Sequence, residues 1–529
     1  MPVRSQLRRR RAHKSYKNGF SSEKDELSAL QEEKLHDFKE SFVEQYQETP
    51  LYAAFLVYFF FFYQYLFKCF RFYLVKIGLR KPDEPKERGN KGFVPLYKDS
   101  ERLFHKAVYI TCSWMSNTPI SSPPGPLIDV MERKAENGGW THRLTGKITR
   151  SINTGSYNYL GFAQNAGPCV EAVEEAVRKR GLACCSPRHE YGTIGLHNEL
   201  ETLVARFVGK PAAIVFGMGF ATNSTSIPTL VGKKDLIISD ELNHCSLIEG
   251  ARRSEATVKV FKHNNMASLE NVLRESVVQG NPRTHRPWGK ILVIVEGVYS
   301  MEGSVVRLPE VVALKNKYKA YLYLDEAHSI GAMGPNGRGI TDYFGVDPAD
   351  VDIMMGTLTK SFGGAGGYIA ATQEIVDHIR GCSHSAAYAS SMSAPVAMQT
   401  ISSMRIIMGE DGTDEGKKRL TALAENNKYF RRRIQEIGFT VFGHDASPII
   451  PVVTYSVTWS SALFLELARR KIATVLVGFP AVACLTQFRF RFCLSAAHTR
   501  EMLDEVLDAM DEIGDLVFAK FGKQHRKEL

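Results

Sequence analysis

The sequence predicts an α/β protein: a large domain on a mostly parallel sheet, a smaller C-terminal α+β domain, and an N-terminal helix apolar enough for a membrane. Three observations carry this. Short apolar runs alternate with amphipathic helical stretches through the middle of the chain, the pattern of a parallel sheet buried on both faces. After about residue 395 long helical patterns precede three further strand-like runs. Near the start, Leu51–Phe67 contains no charge and ten aromatic residues among its 17.

In order, the expected organisation is a solvated tail over 1–50, an anchor over 51–79, a linker and N-terminal arm over 80–155, a large domain over 156–394 and a small domain over 395–529. Composition is globular, with 44% hydrophobic and 23% charged residues in 529, which excludes a wholly disordered or multi-span membrane protein. The formal charge is +10, but seven of those units lie in residues 1–20, leaving +3 on the rest. A basic tail on a nearly neutral body gives no nucleic-acid-binding face. The tail lacks the apolar stretch of a signal peptide, and the nine acids of residues 21–48 argue against a transit peptide.

A spanning helix needs about 17–25 apolar residues, so Leu51–Phe67 is at the short end. Phe59–Phe62 leaves no polar face for water. The segment reads as a single membrane anchor, spanning in preference to interfacial, and both remain open. Lys68, Arg71, Lys76, Arg80 and Lys81 follow it, and the positive-inside bias puts the later residues in the cytosol. The final Arg526-Lys527-Glu528-Leu529 lacks the Asp of a retention signal.

The strands expected next are Ala212–Phe216, Leu236–Ser239, Ile291–Glu296, Ala320–Asp325 and Asp352–Met355, with helices at Glu199–Val208, Ser268–Val278 and Pro309–Lys317. In the small domain they are Ile449–Tyr455, Ala473–Val477 and Phe488–Leu494. Polar residues gather where the large-domain strands end, the place where open α/β sheets bind ligands. Asp325-Glu326-Ala327-His328 ends one. Gly356-Thr357-Leu358-Thr359-Lys360-Ser361 ends another and runs into Gly363-Gly364-Ala365-Gly366-Gly367. The glycines follow the lysine, so this is no Walker loop. A desolvated amine forming a Schiff base with an aldehyde cofactor, with an upstream Asp for a pyridinium nitrogen, suits this spacing better.

GTLTKSFGGAGGYIAA closely resembles the lysine motif of the α-oxoamine synthases, a family of fold-type-I pyridoxal-phosphate enzymes. Further stretches narrow the resemblance to the serine palmitoyltransferases: TGSYNYLGFA at 154–163, FGMGFATNS at 216–224, SDELNHCSLIEGAR at 239–252, EGVYSMEGSVVRLPE at 296–310, YLYLDEAHSIGAMGPNGRG at 321–339 and RFCLSAAHT at 491–499. GFVPLYKD at 92–99 adds to them. The similarity runs from about residue 90 to 520. It implies a fold-type-I transferase whose cofactor is pyridoxal 5′-phosphate (PLP), bound in the 156–394 domain.

What the resemblance implies for the site follows residue by residue. Lys360 would bind the cofactor and then serve as acid and base. Asp325 would keep the pyridine nitrogen protonated, His328 would bond the phenolic oxygen with Ser300 assisting, and His244 would stack on the ring. Gly219 and Phe220 would offer backbone N–H groups to the phosphate, joined by Thr357 and, across a subunit interface, Ser390. The implied reaction is the decarboxylative condensation of L-serine with a long-chain acyl-CoA, giving 3-ketodihydrosphingosine at the endoplasmic reticulum membrane. The implied partner is a related non-catalytic subunit.

One departure stands out. Soluble relatives grip the substrate carboxylate with an arginine just before a Pro-rich stretch, and here that stretch is Val477-Gly478-Phe479-Pro480. Arg489 and Arg491, on one face of an alternating strand, are the candidates. The competing readings are a glycine-using or short-acyl synthase and a non-catalytic scaffold subunit. The presence of Lys360, Asp325 and His328 together disfavours the scaffold.

Overall fold

The structure is a computed structural model and describes residues 38, 42–80, 93, 115, 117–136, 141–478, 481–482 and 485–522. Most of the expected tail, much of the linker, most of GFVPLYKD and Phe479-Pro480 lie outside these. The chain divides into two compact units, Met1–Val43 and Glu44–Leu529. Every element named below belongs to the second.

The apolar segment forms one helix, α1 (Leu51–Lys76, 26 residues). It is longer than the charge-free run because Lys68 and Arg71 do not interrupt it; long basic stems are compatible with a helix at a membrane surface. Only Ala53 and Val57 of α1 are buried.

A twisted hairpin follows, β1 (Leu127–Glu136) and β2 (Thr141–Asn153), within the arm that the sequence left without strands. Seven strands then make the main sheet: β3 (Ala212–Phe216), β4 (Leu236–Asp240), β5 (Thr257–Phe261), β6 (Ile291–Glu296), β7 (Tyr321–Asp325), β8 (Ile353–Thr357) and β9 (Gly367–Ala371). Their order is β3-β9-β8-β7-β6-β4-β5. The pairs among β4 to β8 are parallel, while β9 runs antiparallel to both β8 and β3. The five expected strands are present to within a residue or two; β5 and β9 are additions.

Each strand except the edge strand β5, where Val258 and Val260 are exposed, is buried on both faces. Ala213 and Val215 point into one apolar layer, and Ile214 and Phe216 into the other. That is why these runs are continuously apolar instead of alternating. The parallel strands β6, β7 and β8 therefore end side by side at Glu296, Asp325 and Thr357.

The small domain carries a four-stranded antiparallel sheet ordered β10-β11-β14-β13, from β10 (Thr440–Val441), β11 (Ile449–Tyr455), β13 (Val475–Val477) and β14 (Phe488–Cys493). The expected strand Ala473–Val477 is two strands. Its first part, β12 (Ile472–Ala473), joins β2 in the hairpin sheet. Its second part, β13, joins β14. In β14, Phe490 and Phe492 fill the small-domain core with Phe430 and Leu507. The intervening Arg489 and Arg491 share the other face, as the alternation predicts.

Candidate active site

The site is assembled at the carboxyl ends of β6, β7 and β8. Asp325, the last residue of β7, is 3% exposed. Its Oδ2 accepts from Asn223 Nδ2 at 2.8 Å and its Oδ1 from the Ala327 N–H at 2.9 Å. Both donors are neutral, and no ion pair to this carboxylate is found among the described residues. A carboxylate held in this way is primed for a cationic partner, since buried charge is costly without one.

Asn223, on the helix Gly219–Leu230, makes three side-chain hydrogen bonds. Its second amide hydrogen goes to Ser246 Oγ at 2.9 Å, and its Oδ1 accepts from the buried Tyr323 hydroxyl at 2.7 Å. Ser246 Oγ lies 2.8 Å from His244 Nδ1, which also accepts from the Ser246 N–H at 3.2 Å. His244 thereby caps the helix Cys245–Arg253 and carries its proton on Nε2. Burial lowers its pKa. Its backbone N–H donates to Glu296, whose carboxyl is pushed well above the usual range, first by burial and then by the nearby Asp325.

His328 is buried three residues beyond Asp325, with Nδ1 2.9 Å from the Tyr159 hydroxyl. Burial, then the charge of Lys360, holds its pKa well below normal, so the imidazole is neutral. A phenol donating to Nδ1 would leave the His328 proton on Nε2. Lys360 is half-buried. Its amine lies 5.5 Å over the Tyr157 ring, and burial lowers its pKa to about 8 against the pull of Asp325 and Glu296.

Thr357 Oγ1 lies 2.8 Å from Thr359 Oγ1. It also marks how closely the helix at Gly219 approaches: a Cβ there would sit 3.1 Å from that hydroxyl and 3.3 Å from the Gly366 carbonyl. The first-turn N–H groups at Gly219 and Phe220 have no intrahelical acceptor, the arrangement that suits an anion. Ser390 is exposed at the same rim, its carbonyl 3.7 Å from the position of a Cβ on Gly217. Ser300 is buried in the loop after β6, and its hydroxyl has no hydrogen bond to the other predicted residues among those described.

The two arginines differ. Arg489 is 1% exposed and committed: it donates to the Met301 and Gln487 carbonyls, each at 2.9 Å, and pairs with Glu302 at 3.6 Å. Arg491 stands 4.8 Å over the same Tyr157 ring that Lys360 overlies, and its Nε is buried without a hydrogen-bond partner. The structure thus gathers Lys360, Asp325, His328, His244, Gly219, Phe220, Thr357 and Arg491, with Ser390 at the rim. It ties Arg489 into the loop at Met301. Asn223, Ser246, Tyr157, Tyr159 and Glu296 were missed as functional residues, although each lies in or beside a quoted motif.

Known proteins resemble this chain in sequence and in fold. The family model "Aminotransferase class I and II" matches residues 149–510. A Homo sapiens relative, Serine palmitoyltransferase 3, is 49% identical over 522 residues, covering 97% of this chain and 94% of its own. Serine palmitoyltransferase 2 of Caenorhabditis elegans is 50% identical, over 87% of this chain and 82% of its own. Among solved structures, Sphingomonas wittichii serine palmitoyltransferase superposes with a TM-score of 0.70 at 26% identity, covering 80% of this chain and 99% of its own. A second, a serine palmitoyltransferase holding PLP as its internal aldimine, gives 0.68 at 26% identity, with 80% and 100% covered. The expected fold-type-I architecture is borne out. Near-full-length relatives at this identity, together with a lysine, an aspartate and a helix start converging at the strand ends, place this chain in the serine palmitoyltransferase family, on the class I and II aminotransferase fold.

Proposed function

We infer that the protein is a PLP-dependent serine C-palmitoyltransferase, condensing L-serine with a long-chain acyl-CoA to 3-ketodihydrosphingosine, carbon dioxide and free coenzyme A. The observation that carries it is the buried Asp325 carboxylate, bonded only to neutral donors, beside a lysine amine held at about 8.

These residues fit PLP. Asp325 would hold the protonated pyridine nitrogen, His328 Nε2 the phenolic oxygen, and His244 the ring face. Gly219, Phe220 and Thr357 would hold the phosphate, with Ser390 at the rim. When bound, PLP supplies an aldehyde and an electron sink for the carbanion formed at the serine α-carbon. Lys360 Nζ, whose pKa of about 8 lies close to physiological pH, takes the α-proton of serine and later returns a proton to the product. Tyr159 fixes the His328 tautomer, and the Asn223–Ser246 bonds fix Asp325 and His244. Tyr157, packed beneath both Lys360 and Arg491, helps keep water from the amine.

We assign the serine carboxylate to Arg491, because its Nε is unpaired and it shares Tyr157 with Lys360. Arg491→Lys is expected to raise KM for serine by about ten- to a hundredfold, the worth of a lost charged hydrogen bond, leaving KM for acyl-CoA nearly unchanged. Arg489→Lys is expected to lower thermal stability instead, by breaking its bonds to Met301 and Gln487. The reverse pattern would reassign the carboxylate to Arg489.

The anchor, the cations that follow it and the lipid product support a location at the endoplasmic reticulum membrane with the catalytic body in the cytosol. A heteromer with a related non-catalytic subunit is supported by the exposed Tyr191, Met218, Phe220 and Tyr388 around Ser390, since apolar groups gathered at a rim suit a partner surface. The deciding assay supplies the purified chain and that subunit with serine or glycine and a series of acyl-CoAs. Ketosphinganine from serine and palmitoyl-CoA is the expected product. A preference for glycine with acetyl- or succinyl-CoA would overturn the reading.

A further inference from the structure

β6 is apolar from Ile291 to Val295 and then ends on a carboxyl group, Glu296, that is only 4% exposed. A buried carboxyl is costly unless its surroundings hold it. In the sheet it stands directly beside Asp325, its register partner on β7. The two side chains are held differently. Asp325 accepts from two donors, Asn223 Nδ2 and the Ala327 N–H. Among the described residues Glu296 accepts from one, the backbone N–H of His244. Adjacent buried carboxyls do not both ionise readily. Burial first, and Asp325 second, push the Glu296 carboxyl well above its ordinary range. Glu296 is therefore the neutral member of the pair, and Asp325 the charged one.

A neutral carboxyl still offers an acceptor oxygen, and here that oxygen meets a backbone. His244 lies at the end of the loop that joins β4 to the helix Cys245–Arg253. Its carbonyl accepts from the Leu247 and Ile248 N–H groups at 2.9 and 3.2 Å, the first bonds of that helix. Its ring is set by Ser246 Oγ, 2.8 Å from Nδ1. The N–H is the remaining backbone group, and Glu296 takes it.

The neighbouring contacts come from the same strand. Asn243 Nδ2 donates to the Ile294 carbonyl at 2.9 Å and to Ser239 Oγ at 2.8 Å. Glu296 is held in turn, its N–H donating to the hydroxyl of the buried Tyr299 at 3.3 Å. The end of β6 thus sets where the His244 ring stands relative to Asp325.

We propose that Glu296 is a positioning residue for the condensation, fixing His244 against the cofactor ring through the His244 backbone N–H. This rests on the reading of the site as a PLP site. It requires an acceptor oxygen at Glu296 and no charge there, so Asp325 alone supplies the negative charge that faces the pyridine nitrogen.

The test is a double-mutant cycle in the PLP-loaded enzyme with its partner subunit. Glu296→Gln keeps an acceptor oxygen and should lower kcat by only about two- to fivefold, whereas Glu296→Leu, similar in size without an acceptor, should lower it about ten- to a hundredfold. The visible circular dichroism of bound PLP should change in Glu296→Leu as it does in His244→Ala. Adding Glu296→Leu to His244→Ala should cost nothing further, because both act on one ring. Losses that multiply would overturn the proposal, as would equal losses in the Gln and Leu variants, or a Leu variant within about twofold of wild type. Should Glu296→Leu fail to fold, Glu296→Asp, which draws the oxygen back by a methylene, takes its place in the cycle with the same outcomes. A wild-type enzyme that takes up no PLP would overturn the PLP assignment itself, and the proposal with it; multiplying losses in a loaded enzyme overturn the proposal alone.

Discussion

Lys360→Ala is expected to abolish both the visible absorbance of bound PLP and the condensation activity, the latter by at least about a thousandfold. Lys360 is where the two functions meet, because its amine is both the cofactor's attachment point and the proposed base. Burial holds that amine at about 8. Roughly a tenth of it is therefore neutral at pH 7, against well under a hundredth of an ordinary lysine. Recapture of PLP by the cofactor-free wild type should accordingly quicken as pH rises and level off above about 8. A rate still climbing at pH 10 would show an unperturbed amine.

The sign of the stability effect is also fixed. In the unfolded chain this amine titrates at its ordinary 10.5, and in the cofactor-free folded chain at about 8. The folded state therefore disfavours the charged form. The penalty, up to roughly 3 kcal/mol, is full below pH 8 and is relieved between 8 and 10.5. At pH 7 cofactor-free Lys360→Ala should melt no lower than the cofactor-free wild type. A large drop in Tm, with lost association to the partner subunit, would show that Lys360 supports the fold and that its activity loss is indirect.

The parts of this fold that were legible share a physical cause. β3, β4, β6, β7 and β8 are buried on both faces, so their sequences are short unbroken apolar runs between helices. β1 and β2 are mostly exposed or half-buried and carry Glu132, Arg133, Lys134 and Arg143. Such a hairpin resembles an extended polar arm. β9 lies inside the glycine-rich motif, where the glycines signalled a turn and masked the strand that follows. Ala473–Val477 read as one strand because nothing in five residues tells the chain to change sheets at Thr474.

The site divides in the same way. Lys360, Asp325 and His328 are adjacent to strand ends and were found from local sequence. Asn223 reaches Asp325 across 102 residues and Tyr159 reaches His328 across 169. Contacts of that separation have no local signal, and an asparagine inside an apolar helix reads as a minor irregularity. The choice between Arg489 and Arg491 was equally beyond reach, because it depends on the loop at Met301, whose carbonyl and Glu302 hold Arg489 while Arg491 meets the Met301 sulfur.

Asp325→Asn is expected to lower activity by about a hundred- to ten-thousandfold, the range for losing a preorganised charge at a reacting centre, while PLP absorbance is retained. The substitution keeps the shape and removes the charge, so the pyridine nitrogen loses the group that holds its proton. It also disturbs the network. Oδ2 faces Asn223 Nδ2 and Oδ1 faces the Ala327 N–H, so an amide NH₂ in either orientation meets a donor. Asn223→Ala, which leaves the carboxylate and removes one of its anchors, should cost much less, about tenfold. This order separates a role through charge from a role through packing: if positioning alone mattered, the two variants would be similar. Lys360→Ala and Asp325→Asn should also be distinguishable by eye. The first protein is colourless after dialysis and the second stays yellow, with its absorbance maximum displaced. Near wild-type activity in Asp325→Asn would remove the proton-holding role from this carboxylate, and with it the observation on which the PLP site was built.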